Sequence, residues 1–420
     1  MDFAAENIPY KPLVSSSIGG MLEVYDLYIF GLLAPTIAPL FFPINDGIWT
    51  VLAGYLTFAV AFFFRPLGSI FFGHIGDRYG RRVSLYSCLL LMSVATLAIG
   101  LLPTYEEVGM LAPLLLIIAR ILQGVSAGGE FSGGLVFVAE HSGSRKIGIT
   151  IGLGLAGNIT GVLLGSFVAL IVTLPNMPVW GWRIPFIIGF SIALAGLYIR
   201  RFLPETPLFL AAREKGEIEK IPFLSGIRVF YKQIFFSIII MVTSGIIYYL
   251  NVISLPPLFV KLFSVSETLS KLGNTIGLLF MVVMIPVFGF LTDKFNKELL
   301  LKIAIIIPTI STLFALYILY ADIFHSTSNL LIYQIISGIF LAMNMITIDV
   351  FLIKSFAIKI RYSCFGFSHD LGIAIAGLTP FIVALLVHNN NYAILSISIV
   401  ILCLLSVWAV SGLQKSLDKT

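Results

Sequence analysis

The sequence predicts an all-α polytopic membrane protein with twelve transmembrane helices in two pseudo-symmetric six-helix bundles. Three observations predict it. Of 420 residues, 58% are hydrophobic and 11% charged, with a mean hydropathy of +1.02; a soluble domain keeps about a quarter of its residues charged. Apolar runs of about 20 residues, each long enough to cross a bilayer as a helix, recur along the whole chain. Matching glycines and charges recur in the two halves at one displacement of 216 residues.

Backbone in lipid must satisfy its own hydrogen bonds, so runs of this length are helical. The alternating ten-residue strands of a transmembrane barrel are not visible. The expected spans are 14–41, 48–72, 83–103, 111–139, 147–174 and 183–203, then 233–262, 269–292, 299–321, 328–353, 362–387 and 392–413. The first run carries Glu23 and Asp26. A signal-peptide core would not tolerate them, so the run is expected to be retained. Cys88, Cys364 and Cys403 fall inside apolar runs without metal-like spacing and read as buried small residues.

Lysine and arginine favour the cytoplasmic side. With a cytoplasmic N-terminus, only Arg183, Lys261 and Lys271 fall outside, Arg65 and Arg120 lie within helices, and every other Lys and Arg is inside. Both termini are therefore expected in the cytoplasm. The same asymmetry explains a net charge of +5 without a nucleic-acid partner.

The polar stretch 204–232 divides the chain into an N-terminal bundle (1–203), a cytoplasmic linker and a C-terminal bundle (233–420). Gly73, Asp77 and Arg78 recur as Gly289, Asp293 and Lys294; Arg145 maps on Arg361, and Gly161 on Gly377. Internal repeats of this kind mark secondary transporters, whose site lies near the midplane between the halves.

The run Gly73-His-Ile-Gly-Asp77-Arg78-Tyr-Gly80-Arg81-Arg82, between helices 2 and 3, resembles the loop signature of the major facilitator superfamily. Further runs narrow the resemblance: Leu22-Glu23-Val24-Tyr25-Asp26, Arg65-Pro66-Leu67-Gly68, Arg120-Ile-Leu-Gln123-Gly124, Gly128-Gly129-Glu130, Trp180-Gly181-Trp182-Arg183-Ile184-Pro185 and Pro204-Glu205-Thr206-Pro207. Together they resemble the metabolite:proton symporter family of proline/betaine, citrate, 2-oxoglutarate and shikimate carriers. The resemblance implies the major facilitator fold and proton-coupled import of a small organic anion or zwitterion. It also implies a bacterial inner membrane and no cofactor beyond the coupling proton. An uncoupled facilitator or an exporter on the same fold is the alternative. Three features depart from the family. The second-half loop reads Asp293-Lys294-Phe-Asn296-Lys297, without the usual glycine or arginines. His369-Asp370 stands where a neutral Asn is common. The short sequence after Leu413 gives no expectation of an osmosensing coiled coil.

Ionisable groups inside a bilayer are costly and by default mark ion or substrate pathways. A helical rise of ~1.5 Å per residue puts Asp26 ~20 Å from the inner face and Arg120 ~13 Å from the outer one, so the two can meet. The resemblance to proton-coupled sugar carriers implies such a pair as the proton-coupling site, with Glu23 one turn away. An arginine beside an aspartate favours its ionised form, and separating them lets it take a proton. The alternative is a static salt bridge between helices 1 and 4. Arg65 and Glu130, both near mid-depth, are expected to line the central cavity with Glu23, where Arg65 can grip a carboxylate bidentately. Alternatively, Glu23 or Glu130 simply neutralises Arg65. Tyr25 and Gln123, inside the matching motifs, join the substrate-binding candidates. Tyr249 and Asn251, before Pro256-Pro257, and Asn344 and Asp370 complete them. A helix broken at the prolines would free backbone groups towards a cavity. Asp370 lies ~12 Å from the inner face and is expected to be wetted.

A cytoplasmic gate is expected from Gly73, Asp77, Arg78, Gly80, Arg81 and Arg82 with Glu140, Arg145, Asp293 and Arg361, and Asp349 is placed near it. Asp77 can accept bonds from a helix N-terminus, and the arginines can pair with Glu140. The blander reading is that positive charge merely fixes topology. No Gly-x-x-x-x-Gly-Lys-Ser/Thr loop is present, which opposes direct ATP driving. No metal spacing or nucleophile–base constellation points to an enzyme. A small-molecule substrate, the bilayer as partner and a functional monomer complete the expectation.

Overall fold

A computed structural model describes residues 9–42, 47–142, 146–174, 176–263, 266–295, 297–321, 327–389 and 391–417. Twelve helices among them are long and apolar enough to cross a membrane. We label them α1 (Tyr10–Phe41), α2 (Leu56–Arg78), α3 (Arg81–Leu101), α4 (Leu111–His141), α5 (Ile147–Val172) and α6 (Val179–Arg200). The second half holds α7 (Pro222–Val260), α8 (Leu269–Lys294), α9 (Glu298–Ile318), α10 (Asn329–Lys354), α11 (Ile358–Val387) and α12 (Tyr392–Leu417).

The stretch expected as a linker is itself partly helical. Pro207–Glu214 forms a short helix opened by Thr206, whose side chain caps Phe209 N. α7 begins at Pro222 and bends at Phe230, where φ/ψ of −112°/24° leaves the helical range. Further along α7, Pro256 lacks an N–H and its ring clashes with the carbonyl four residues back. The chain answers with a π-helical turn at Leu250–Ser254, a form often found at functional sites. The Val252 carbonyl accepts a bond from Asn274 Nδ2 of α8 at 3.2 Å. The helix expected to break at the proline pair instead stays continuous, and a π-helical turn just before it absorbs the missing bond.

Two seams join the halves: α2 lies against α11, and α5 against α8. Buried aliphatics cross the second seam, with Ile151 and Leu155 of α5 in one cluster with Met281 and Ile285 of α8. Close approach requires small residues. A Cβ on Gly73 would stand 2.6 Å from the Ser363 backbone, and one on Gly289 2.4 Å from the Gly148 carbonyl. The 216-residue repeat is therefore visible as two equivalent helix contacts. Leu90, Val94, Phe290 and Leu404 are exposed on the outside, as lipid contact requires.

Candidate functional site

A cavity of about 440 Å³ lies between the halves. Its walls come from α1, α2, α4 and α5 on one side and α7, α8, α10 and α11 on the other; α3, α6, α9 and α12 supply none of the lining. Glu23, Arg65, Asp349 and His369 form a charged end, and Tyr28, Phe58, Phe62, Tyr248 and Tyr249 an aromatic wall. The cavity extends to Leu32, Pro256 and Pro257, away from the chain termini.

Arg65 ties the halves together. Its Nη1 donates to Glu23 Oε1 at 2.6 Å, and its Nε to Asp370 Oδ1 at 3.1 Å. Both reaches run through buried space. Arg65 is thus paired with Glu23 in its own half and with Asp370 in the opposite half. Asp370 is buried rather than wetted, because Arg65 and His369 cover it. Asp349, expected near the gate, lines the cavity instead. Among the described residues, Glu23 Oε2, Asp349 Oδ2 and Asp370 Oδ2 are buried without a hydrogen-bond partner.

Asp26 and Arg120 occupy an adjoining recess of about 20 Å³ with Gln123, which shares Glu23, Leu27 and Arg65 with the cavity. They are joined through Gln123 rather than by a direct ion pair. Arg120 Nη1 donates to Gln123 Oε1 at 2.7 Å, and Gln123 Nε2 to Asp26 Oδ2 at 3.2 Å. Thr96 also donates to Asp26 Oδ2. The guanidinium rests on the Phe30 ring, 4.2 Å from its centroid, a contact worth ~0.5–2 kcal/mol.

Several expected cavity residues turn elsewhere. Glu130 pairs with Arg200, at 2.7 Å through Nη1, because helix packing turns it towards α6 and α3. Tyr25 is fully buried and donates to the Pro185 carbonyl at 2.8 Å. Asn251 faces α9 and α10, bonded to Thr312 at 2.7 Å, Ser337 at 3.1 Å and Tyr333. Of the remaining candidates, Tyr249 and Asn344 line the cavity. Asn344 is held by Ser244 and by the Ala304 carbonyl at 2.7 Å.

At the end that carries the termini, the repeat builds two matching carboxylate-to-helix-end contacts, each here termed a latch for its geometry alone. Asp77 accepts from the backbone N–H groups of Tyr362 (3.2 Å) and Ser363 (2.8 Å), at the start of the helix Arg361–Ala376 within α11. Asp293 accepts from Gly148 (2.8 Å) and Ile149 (3.0 Å), at the start of α5. Each carboxylate thus sits on a positive helix end of the opposite half. Arg81 braces the first latch, 3.2 Å from Asp77 and 3.0 Å from Glu140; Arg361 reaches Glu140 at 3.4 Å. Arg78 and Arg82 do not pair with acids. They donate to the carbonyls of Lys220 (3.1 Å) and Arg201 (2.6 Å), because their side chains leave the seam. Gly80 takes φ +122°, a region glycine enters freely. Arg145 lies outside the described residues.

The sequence reading missed Arg200, Glu205 and Tyr362. Arg200 passed as one more cytoplasmic cation, yet it is 1% exposed. Glu205 accepts from the N–H groups of Arg81 (3.0 Å) and Arg82 (3.1 Å) and so caps α3; burial pushes its carboxyl above the usual range. The motif Pro204-Glu205-Thr206-Pro207 carried that signal. Tyr362 donates to the Gly129 carbonyl at 2.6 Å across the seam.

The geometry matches known proteins. The sequence profile of the Major Facilitator Superfamily covers residues 16–377. The chain is 31% identical over 398 residues to the proline/betaine transporter of Escherichia coli (strain K12), covering 91% of this chain and 78% of that one. It is 32% identical over 398 residues to the glycine betaine/proline/ectoine/pipecolic acid transporter OusA of Dickeya dadantii (strain 3937), with the same coverage. The fold resembles the proton:xylose symporter XylE at a TM-score of 0.77 and 18% identity, over 98% of this chain and 96% of that one. The chain therefore belongs to the Major Facilitator Superfamily, and within it is related to the proline/betaine transporters.

Proposed function

We propose that the protein imports a betaine-type zwitterion, driven by protons, through alternating access. The observation that carries this reading is the cavity's two-sided chemistry. A zwitterion offers a carboxylate for Arg65 and a cationic nitrogen for ring faces, and Tyr28, Phe58, Phe62, Tyr248 and Tyr249 supply those faces. Glu23, Asp349 and Asp370 outnumber the guanidinium of Arg65 there, which also favours a ligand or proton bringing positive charge. The relatives named for proline and betaine carriers support the same class.

Asp26 is the coupling carboxylate in this reading. Its Oδ2 is held by Thr96 and Gln123 while Oδ1 has no hydrogen-bond partner. The bridging Gln123 lets Arg120 sense the carboxylate without neutralising it by contact. A proton there needs no ion pair to be broken first. No cofactor besides the proton is required. The protein functions as a monomer, since one chain builds the whole cavity. It resides in a bacterial inner membrane with cytoplasmic termini, and the latched state faces outward. An uncoupled facilitator or exporter is the competing reading.

The test is flux into proteoliposomes of glycine betaine, proline and simple carboxylates under an inward acid gradient. Glycine betaine or proline should accumulate with the gradient, and Asp26→Asn should abolish that accumulation. Uptake that ignores the gradient and survives Asp26→Asn would leave the uncoupled reading standing.

A further inference from the structure

The charged end of the cavity contains a histidine that the reading above does not use. His369 of α11 lies beside Asp370 and lines the cavity with Asp349. Its Nδ1 is 3.2 Å from Asp370 Oδ1, the oxygen that also accepts from Arg65 Nε at 3.1 Å. Asp349 of α10 lines the same cavity and supplies a second acid. The ring is stacked on Phe131 of α4, with centroids 4.6 Å apart and planes 22° apart. This fixes its orientation across the seam. Other charged or titratable groups face this site from neighbouring helices. They are Glu23 on α1, Arg65 on α2, and Tyr248 and Tyr249 on α7. From α5 and α8 the lining presents only the uncharged Asn158 and Asn274 among polar groups.

One carboxylate oxygen is thus approached by nitrogens from both halves, Arg65 Nε as donor and His369 Nδ1 in a role set by its protonation. We propose that His369 is a proton-operated switch that decides whether Asp370 holds Arg65. With the imidazole neutral and its proton on Nε2, Nδ1 offers Asp370 no hydrogen, Asp370 serves Arg65 and the halves are tied through α2 and α11. With the imidazole protonated, both ring nitrogens donate. Nδ1–H then binds Asp370 Oδ1, and the cavity that Asp349 also lines gains a positive charge. Asp370 shares its charge, Arg65 loosens from α11, and its guanidinium turns to a substrate carboxylate. Linkage makes the effect reciprocal: a carboxylate on Arg65 strengthens proton binding at His369. The switch rests on the zwitterion reading only for its substrate. It adds a second proton site, on the C-terminal half, to the Asp26 recess on the N-terminal half.

The sign is fixed by the geometry. Acid favours the released Arg65, so apparent affinity for a carboxylate-bearing substrate rises as pH falls. Histidine changes charge between about pH 5 and 8 unless strongly perturbed. The full-length protein is reconstituted and glycine betaine uptake measured at about pH 5.5 and about pH 8, with the gradient held constant. KM should be at least about fivefold lower in acid, the lower end of typical site coupling. His369→Gln should flatten that difference, and Asp349→Asn, which removes a second acid from the same cavity, should move it to lower pH. A merely structural role would change maximal rate or yield and leave the pH profile in place.

A second measurement needs no substrate. Histidine ring nitrogens are 15N-labelled in the detergent-solubilised protein, and the signal missing in His369→Gln is followed with pH. There are five histidines to resolve. That signal should titrate between about pH 5 and 8 and move to lower pH in Asp370→Asn. If it titrates while glycine betaine is not carried, the switch stands and the substrate class falls. If it stays unprotonated across the range, or if His369→Gln keeps the native KM profile, the switch is refuted.

Discussion

Arg200→Met is expected to destabilise the protein by about 3–5 kcal/mol, the penalty for leaving one member of a buried ion pair without its partner. Arg200 is 1% exposed and lies at the end of α6. Its Nη1 donates to Glu130 Oε2 at 2.7 Å and to the Leu85 carbonyl at 2.6 Å, and its Nη2 reaches the Ser15 carbonyl at 3.4 Å. One side chain therefore joins α6 to α4, α3 and α1. Removing it strands the Glu130 carboxylate, which is itself 1% exposed. Methionine fills similar volume without charge, so packing loss is small beside the electrostatic one. The double variant Arg200→Met with Glu130→Gln removes both charges and should recover most of the loss. Thermal unfolding in detergent and monodispersity on a sizing column measure both. Equal destabilisation in the single and double variants would mean that packing, not charge, holds this corner. Arg200→Lys should be intermediate, since an ammonium cannot span the forked set of acceptors.

Asp77→Asn is expected to open the latched end. The aspartate accepts two backbone N–H bonds and the Ser363 hydroxyl at 2.8 Å, and sits 3.2 Å from Arg81. Asparagine keeps the shape but loses the charge, and it can present an amide N–H₂ to the same donors. Hydrogen bonds to a charged group contribute about 1.5–3 kcal/mol each. Losing about 2 kcal/mol from the latched state changes its population ratio by about 30-fold. Asp293→Asn at the second seam should act in the same direction, since Gly148 and Ile149 lose the same kind of acceptor. Spin labels on the exposed residues Tyr79 and Leu299, one in each half, report the separation. The native protein should give mainly the short distance, and either variant a larger population at longer distance. The same short distance in all three would show that the latches follow closure rather than cause it.

The twelve spans and a distortion of the helix near Pro256-Pro257 were legible because they follow from local rules. A run of about 20 apolar residues can only be a helix in lipid, and a proline removes one N–H wherever it stands. The latch aspartates were equally legible, because the repeat places Asp77 and Asp293 at equivalent helix ends. Depth along a helix could also be counted, which brought Glu23 and Arg65 to one level.

Side-chain direction could not be counted in the same way. Glu130 and Arg65 share a depth, yet α4 turns Glu130 towards Arg200 and the lipid-side helices. Arg200 looks like any cytoplasmic cation in the sequence, and only the packing of α6 against α3 buries it. Asp370 sits 305 residues from Arg65, a partnership no local pattern encodes.

The sequence by itself determined which segments enter the bilayer, which residues carry charge into it and where the two halves repeat. Hydrophobic length and helical rise are properties of a segment alone. Tertiary structure decided which polar groups meet: Arg65 with Glu23 and Asp370, Asp26 with Arg120 only through Gln123, and His369 with Asp370. Those choices depend on the rotation and close approach of neighbouring helices. In a medium of low dielectric, a few ångströms of such rotation separate a neutralised charge from an isolated one.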